Sequence, residues 1–154
     1  MINFGVIVIA KYALVISVLG ILIYFLSNKN LDKKRFLISF LVTSVVSFIF
    51  AKILSHFIYD PRPFVVGHFV PLISHANDNG FPSDHTLLAM VIAFSVYFYN
   101  KKWGIILFVV GLLIGLARVF AGVHHVEDIL GSIFIAGFSA FSVNYIYEKY
   151  FKNN

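Results

Sequence analysis

The sequence has no cysteine and few charged residues. Among its 154 residues, Asp, Glu, Lys and Arg make up 12%, whereas hydrophobic residues make up 60%. Without cysteine, neither a disulfide nor a thiolate-ligated metal centre can form. The apolar share exceeds the roughly 45–50% of ordinary soluble domains, and the length allows a single domain over residues 1–154. The composition therefore predicts an integral membrane protein.

Long apolar runs set the expected fold. A transmembrane helix needs roughly 20 apolar residues. The runs are about Phe4–Leu26, Phe36–Ile58, Thr86–Tyr99, Gly104–Gly122 and Ile129–Tyr147. The third is short, so we expect its helix to begin about one turn earlier, within Asp84 and His85. With no strand pattern and no internal repeat, the sequence predicts an all-α polytopic membrane bundle of about five transmembrane helices.

The basic residues are concentrated on one side of this bundle. Cytoplasmic loops carry an excess of Lys and Arg. If the first helix runs from outside to inside, eight of the twelve basic residues lie inside: Lys29, Lys33, Lys34, Arg35, Lys101, Lys102, Lys149 and Lys152. The net charge of +5 then reflects membrane orientation, and no nucleic-acid partner is expected. The N-terminus is predicted outside and the C-terminus in the cytoplasm.

The predicted outer side holds the titratable residues and the longest connection. All six histidines fall at or near outer helix ends: His56, His68, His75, His85, His124 and His125. The segment Tyr59–Asp84 is about 26 residues long and contains all four prolines. A loop of that length is usually functional or disordered. Because it carries apolar residues such as Phe64 and Leu72, we expect a folded lid or site wall; the pattern leaves open whether it contains a short sixth helix.

Two polar patches frame this loop. In Asp60-Pro61-Arg62-Pro63-Phe64, prolines on both sides restrict Arg62, which could clamp an anion or bind lipid headgroups. In Gly80–Thr86, Pro82-Ser83-Asp84 is typical of a helix start, whose backbone N–H groups and dipole favour phosphate. Ser83 could add a hydroxyl donor and His85 a proton, or the two could be only a helix cap and an interfacial histidine.

A third patch, Arg118–Asp128, lies between two apolar runs. Costly ionisable groups at a membrane boundary indicate a functional site. His124 and Asp128 are four residues apart and would share a face of a continuous helix, where Asp128 could orient the imidazole. The alternatives are a capping Asp beside a surface His pair, or a zinc site, which an adjacent Arg118 disfavours.

Together, the three patches indicate phosphoryl transfer. Arginines and backbone amides stabilise the negative charge of a transferring phosphoryl group, one histidine can attack phosphorus, and a second can protonate the leaving oxygen. No metal or other cofactor is required if arginines neutralise the charge.

The patches resemble the signature of the type-2 phosphatidic acid phosphatase (lipid phosphate phosphatase) superfamily. Its motifs are Lys, six residues, Arg-Pro; then Pro-Ser-Gly-His; then Ser-Arg, five residues, His, three residues, Asp. The matching segments here are Arg62-Pro63, then Pro82-Ser83-Asp84-His85, then Ala117-Arg118 with His124 and Asp128. Asp84 replaces the Gly and Ala117 replaces the Ser. Only His124, not His125, fits both intervals of the third motif.

The resemblance implies a role for each matched residue. His124 would be the nucleophile that forms a phosphohistidine, Asp128 would orient it, and His85 would be the general acid. Arg62, Ser83 and Arg118 would bind phosphate. The family's Lys should stand at position 55, which is Ser55 here; Lys52, one helical turn earlier, could reach the phosphate or only snorkel to the surface.

The match narrows to one type within this superfamily. The PRPF segment, the long loop with His75-Ala76, and FPSDHT are similar to the bacitracin-resistance type of undecaprenyl-diphosphate phosphatase. The expected reaction is hydrolysis of undecaprenyl diphosphate on the outer face of the cell membrane, recycling the cell-wall lipid carrier. The partners would be polyprenyl diphosphate and membrane lipids. The alternatives are a phosphatase of phosphatidate, phosphatidylglycerophosphate or lipid A phosphate, a His-rich metal-handling membrane protein, or a non-catalytic scaffold.

Overall fold

Helices account for most of the chain. The computed structural model describes residues 2–151, and its helices are α1 (Ile2–Ser27), α2 (Lys33–Phe57), α3 (Pro63–Val66), α4 (Asp84–Tyr97), α5 (Lys101–Phe120) and α6 (Val126–Tyr150). Within that part of the chain, the β-type pairing is one isolated bridge between Pro61 and Asn79. The all-α prediction is confirmed.

Four helices are long and apolar enough to cross a membrane: α1, α2, α5 and α6. The fifth predicted span, α4, has 14 residues. At 1.5 Å per residue it is about 21 Å long, shorter than the ~30 Å hydrocarbon layer. It begins at Asp84, as predicted. The count of five membrane crossings therefore stays a prediction, as do the sides on which the termini lie.

The short helix α4 is the centre of the bundle. It packs against α1, α2, α5 and α6. The four consecutive residues Ala89, Met90, Val91 and Ile92 are each at most 2% exposed, and together they cover all sides of the helix. A helix that is apolar all round is a buried helix. In contrast, the surrounding helices expose large apolar side chains such as Leu22, Ile49 and Phe134, as expected of surfaces that face lipid.

The bundle is tied together at the end away from the polar patches. Asp32 caps α2 by accepting a hydrogen bond from the backbone N–H of Arg35 at 3.0 Å. The Arg35 guanidinium pairs with Glu148 near the end of α6 and lies 4.4 Å from the ring centre of Tyr147. The start of α2, Tyr99 after α4 and Glu148 near the end of α6 meet at this end, beside the three predicted cytoplasmic segments. Lys152 lies outside the described residues.

The long loop between α2 and α4 is folded. It contains the one-turn helix α3, which is the short additional helix that the sequence left open. Phe64 and Ile73 are buried in an apolar cluster with Ala10 of α1, Ala117 of α5 and Val123. The expectation of a folded loop in place of a disordered connection is confirmed.

Candidate active site

Six of the seven residues predicted for the site come from four chain segments that meet at one end of the bundle. They lie after α2, at the start of α4, at the end of α5 and around the start of α6. Arg62, Ser83, Arg118, His124 and Asp128 are each at most 5% exposed. Charged and polar groups are rarely buried to this extent unless they are paired or functional. Their arrangement therefore has to be explained contact by contact.

His124 and Asp128 form the innermost pair. The Nδ1 atom of His124 lies 3.0 Å from Oδ2 of Asp128, which also accepts a hydrogen bond from the backbone N–H of His125 at 3.0 Å. The two residues do not share a continuous helix, because α6 begins only at Val126. Asp128 lies in the first turn of α6 and reaches back to the preceding segment, so the pair forms across a helix N-terminus.

The contacts of His124 define its tautomer. Its Nε2 atom lies 3.2 Å from Nη1 of Arg62. A guanidinium can only donate hydrogen bonds, so Nε2 must accept with its lone pair. In the neutral imidazole the proton is then on Nδ1, where the Asp128 carboxylate accepts it. Nε2 is the free nitrogen and could attack an electrophile that replaces the contact with Arg62.

The environment also favours the neutral form of His124. Burial lowers the pKa of His124, and the charges of Arg62 and Arg118 lower it further, against the raising effect of Asp128. The result is a pKa below the usual 6.5. His124 can therefore keep the lone pair of Nε2 in mildly acidic conditions.

Arg62 is held from several sides. Its Nε donates to Oδ1 of Asp78 at 2.7 Å, and Nη1 donates to the carbonyl of Val123 at 2.8 Å. Burial alone would raise the pKa of Asp78, but the hydrogen bond and charge of Arg62 bring it below its ordinary value. Asp78 and the Val123 carbonyl thus fix the guanidinium plane beside the His124 ring.

Unlike the Nε of Arg62, the Nε of Arg118 has no hydrogen-bond partner among residues 2–151. It lies in the last turn of α5, and the chain then reverses through Gly122, whose φ of +78° is in the region that favours glycine. A side chain there would also collide with Phe69. The turn keeps His124 at the end of the bundle where α5 ends, so His124 and the 3% exposed Arg118, with its unused donor, lie at the same end.

Ser83 and His85 lie at the start of α4. Ser83 is the N-cap residue, but its hydroxyl makes no capping bond and instead accepts from Thr86 at 3.1 Å. The carbonyl of Ser83 accepts from Ser132 of α6 at 3.0 Å, which fixes the helix start against α6. His85 is half-buried and lies within electrostatic range of Arg118. The hydroxyl of Ser83 is thus free to donate to a ligand.

Lys52 lies farther from this centre. It is exposed on α2, and its Nζ is 5.4 Å from the ring centre of Phe48. It does line a polar cavity of about 260 Å³ together with Arg62 and Asp84. The structure therefore places Lys52 at the edge of the same region, with no direct contact to His124.

Several residues of the site were given no role from the sequence. The ring of His75 meets that of His124 edge-on, with their centres 6.0 Å apart, and burial together with Arg62 and Arg118 lowers its pKa. The side chain of Asn79 accepts from the backbone N–H groups of Asp60 and Phe81, and donates to the carbonyls of Ser55 and Ile58. The apolar residues of this loop predicted that it is folded, but they did not predict these contacts.

One group of side chains could ligate a metal ion. Asp60, His125 and Asp128 offer ligand atoms within 4.8 Å of one another. Burial and the neighbouring Asp128 raise the pKa of Asp60, against the effect of His125. Each of the three already takes part in a hydrogen bond with another residue of the site. The group therefore has an explanation without an ion, and a chelator test decides whether one is needed.

The architecture is that of a multi-pass helical membrane protein with buried arginine, histidine, serine and aspartate gathered at one end. The chain belongs to the PAP2 superfamily, whose pattern it matches over residues 36–152. It is 35% identical over 128 residues to the Bacillus subtilis (strain 168) protein named undecaprenyl-diphosphatase BcrC, which covers 83% of this chain. The chain spans 66% of that relative's length.

Two solved structures share the fold. Aquifex aeolicus LpxE superposes with a TM-score of 0.74 at 22% identity, covering 94% of this chain and 86% of that protein. A Bacillus subtilis transmembrane phosphatase of the PAP2 type, described as a phosphatidylglycerolphosphate phosphatase, has a TM-score of 0.67 at 26% identity. That match covers 99% of this chain and 80% of the other. The resemblance inferred from the three sequence motifs is confirmed at the level of the superfamily.

Proposed function

We propose that this protein hydrolyses the terminal phosphate of undecaprenyl diphosphate, without a metal ion, on the outer face of the cell membrane. The products are undecaprenyl phosphate and inorganic phosphate. One observation carries the proposal. Nε2 of His124 has a free lone pair and lies 3.2 Å from the Arg62 guanidinium, while Asp128 accepts the proton on Nδ1. A terminal phosphoryl group bound by Arg62 would have this nitrogen directly beside its phosphorus.

The first step forms a phosphohistidine. Nε2 of His124 attacks the terminal phosphorus, and the P–O bond to the bridging oxygen breaks. Arg62, Arg118 and the Ser83 hydroxyl stabilise the charge on the three non-bridging oxygens, as positioned donors do in phosphoryl transfer. His85 gives a proton to the bridging oxygen, which leaves as undecaprenyl phosphate.

The second step releases phosphate. His85, now neutral, takes a proton from a water molecule that attacks the phosphohistidine. The P–N bond breaks, inorganic phosphate leaves, and His124 recovers its lone pair. Asp128 remains ionised throughout and stabilises the imidazolium that develops on His124. Arginines supply the charge neutralisation that a metal ion supplies in other phosphatases.

An apolar cavity beside His124 supports a lipid substrate. Its volume is about 660 Å³, and its wall includes Pro63, Phe69, Leu72, Phe120, Val126 and His124. We assign it to the first isoprene units of the substrate, whose diphosphate would then lie between His124 and the Lys52 cavity. The name of the 35% identical relative, undecaprenyl-diphosphatase, supports this choice of lipid.

A second candidate substrate is phosphatidylglycerophosphate. It is favoured by the 26% identical solved structure, which is described as a phosphatase of that lipid. The same nucleophile and phosphate-binding residues would serve, and only the leaving group would differ. Relative rates of phosphate release from the two lipids distinguish them.

A substrate panel tests the proposal. We expect the purified protein to release phosphate from undecaprenyl diphosphate faster than from phosphatidylglycerophosphate, phosphatidate or lipid A phosphate, at a rate that EDTA leaves unchanged. Malachite-green measurement of phosphate in detergent micelles is sufficient. No release from any of these lipids would refute a phosphatase. A rate that EDTA abolishes and Zn²⁺ restores would instead implicate the Asp60, His125 and Asp128 group.

The lowered pKa of His124 predicts the acid limb of the pH profile. The attacking form is neutral, so on the acid side of the profile activity is lost as pH falls through the folded-state pKa of His124. Because that pKa is below 6.5, the midpoint of this decline in kcat/KM should lie below pH 6.5. In Arg118→Met a charge that lowers the pKa is gone, so the decline should begin at higher pH. An unshifted limb would contradict this assignment.

The proposed orientation predicts opposite labelling of two positions. The chain has no cysteine, so each single substitution gives one reactive thiol. Asn77 and Lys101 are both exposed. Asn77 lies in the loop before α4, and Lys101 is the first residue of α5, after the other end of α4. A cysteine at Asn77 should react with an impermeant maleimide on intact cells, and one at Lys101 only after permeabilisation. The reverse pattern would place the site on the cytoplasmic side.

A further inference from the structure

Asp60 and His125 form a second carboxylate–imidazole pair beside the first. Nδ1 of His125 lies 2.9 Å from Oδ2 of Asp60, although the two residues are 65 positions apart. His125 retains a 37% exposed side chain and Asp60 a 26% exposed one, so the pair lies at the rim of the site. Neither residue belongs to the set that the proposed reaction uses.

The pair connects the two segments that carry the reacting groups. Asp60 precedes Arg62 by two residues, and His125 directly follows His124. The contact between Asp60 and His125 thus runs alongside the 3.2 Å contact between Arg62 and His124. Two parallel links between the same segments fix their separation and also restrict their rotation.

Both ends of this link are themselves anchored. The backbone N–H of Asp60 donates to the Asn79 side chain at 2.9 Å, and its carbonyl accepts from Gly80 at 2.8 Å. At the other end, the backbone N–H of His125 donates to Oδ2 of Asp128, the oxygen that also holds His124. A shift of His125 would therefore reach the nucleophile through Asp128 as well as through the chain.

We propose that Asp60 and His125 are positioning residues that set the distance and angle between Arg62 and the attacking nitrogen of His124. This inference rests on the proposed phosphatase function. Phosphoryl transfer depends on alignment of the nucleophile with phosphorus, and a misplacement of about 1 Å can cost on the order of 100-fold in rate. Phosphate binding by Arg62 and Arg118 depends less on that alignment, so the pair should affect kcat more than KM.

The test compares variants that remove or keep the hydrogen bond. Asp60→Ala and His125→Phe should each lower kcat by about 10- to 100-fold, with KM for the lipid changed by less than about twofold. Asp60→Asn keeps an oxygen that can accept from Nδ1–H of His125, so it should recover most of the rate at neutral pH. The double variant Asp60→Ala/His125→Phe should be no slower than the slower single variant, because both remove one interaction.

Controls separate positioning from folding and from the function itself. His56→Phe changes an exposed histidine at the end of α2 that leads to Asp60, and it should leave kcat unchanged. Thermal unfolding of every variant shows whether the fold is kept. Wild-type kcat in Asp60→Ala and His125→Phe, multiplicative losses in the double variant, or an Asp60→Asn protein as slow as Asp60→Ala would each overturn the positioning role. A wild-type protein that released no lipid phosphate would overturn the proposed function and this inference with it.

Discussion

His124→Gln should lower the rate of lipid-phosphate hydrolysis by at least about a thousandfold, the scale of loss when a nucleophile is removed. The glutamine amide fills similar space but has no nucleophilic lone pair on nitrogen. Asp128 loses the imidazole that its Oδ2 contacts at 3.0 Å, whereas its bond from the His125 backbone remains. The residual rate would come from phosphate binding by the arginines alone.

Trapping the intermediate makes this prediction specific to a phosphohistidine. Substrate carrying ³²P in its terminal phosphate should label the wild-type protein in a brief acid-free quench, and the label should be lost in acid. His124→Gln should carry no label, while His56→Gln, which changes an exposed histidine at the same end of α2, should label and turn over like the wild type. Label retained in His124→Gln would move the nucleophile to another residue.

The motif spacing, taken with the family pattern, was enough to select the residues at the centre of the site. The structure brings Arg62, Ser83, Arg118 and His124 to one end of the bundle, as the three patches predicted. It also distinguishes the adjacent histidines, because His124 contacts Arg62 whereas His125 contacts Asp60. Their catalytic roles stay predictions until the variants are measured.

What sequence reasoning could not supply is the set of contacts that depend on the path of a loop. The side chain of Asn79 connects the end of α2 and the residues just after it to the backbone of Phe81 through four hydrogen bonds. At Gly80, an added Cβ would come within 3.0 Å of Asp128 Oδ2, so the loop passes directly over the carboxylate that contacts His124. Neither hydrophobic periodicity nor a motif predicts such contacts, because they depend on how the loop folds and not on a regular spacing along the chain.

The spacing of His124 and Asp128 was compatible with two local structures. An interval of four residues fits a helix face, but it also fits a helix N-terminus at which an acidic residue in the first turn reaches back. The structure shows the second arrangement, with α6 starting at Val126. The chemical consequence is the same, since Asp128 contacts Nδ1 in both cases, but the second arrangement leaves His124 in a turn that other segments must hold in place.

Arg118→Met should lower kcat/KM by about 100- to 1000-fold, the usual cost of removing one preorganised charge donor, and should at the same time raise the unfolding temperature. Arg118 is 3% exposed, and its Nε has no hydrogen-bond partner among residues 2–151. A buried donor without a partner costs stability, and methionine fills similar length without that cost. A site that binds phosphate would keep such a residue because the ligand supplies the missing partner.

Arg35→Met is the matched control, since the Nε of Arg35 also lacks a hydrogen-bond partner among residues 2–151, whereas its guanidinium pairs with Glu148 at the other end of the bundle. It should lower the unfolding temperature and leave kcat/KM nearly unchanged, the opposite result on both measurements. Orthovanadate, a phosphate analogue, should stabilise the wild type and Arg35→Met against heat but not Arg118→Met, because only the last lacks a donor for the anion. If Arg118→Met instead lost stability along with activity, its charge would be holding the bundle together, and the unpaired guanidinium of Arg118 would not mark a phosphate site.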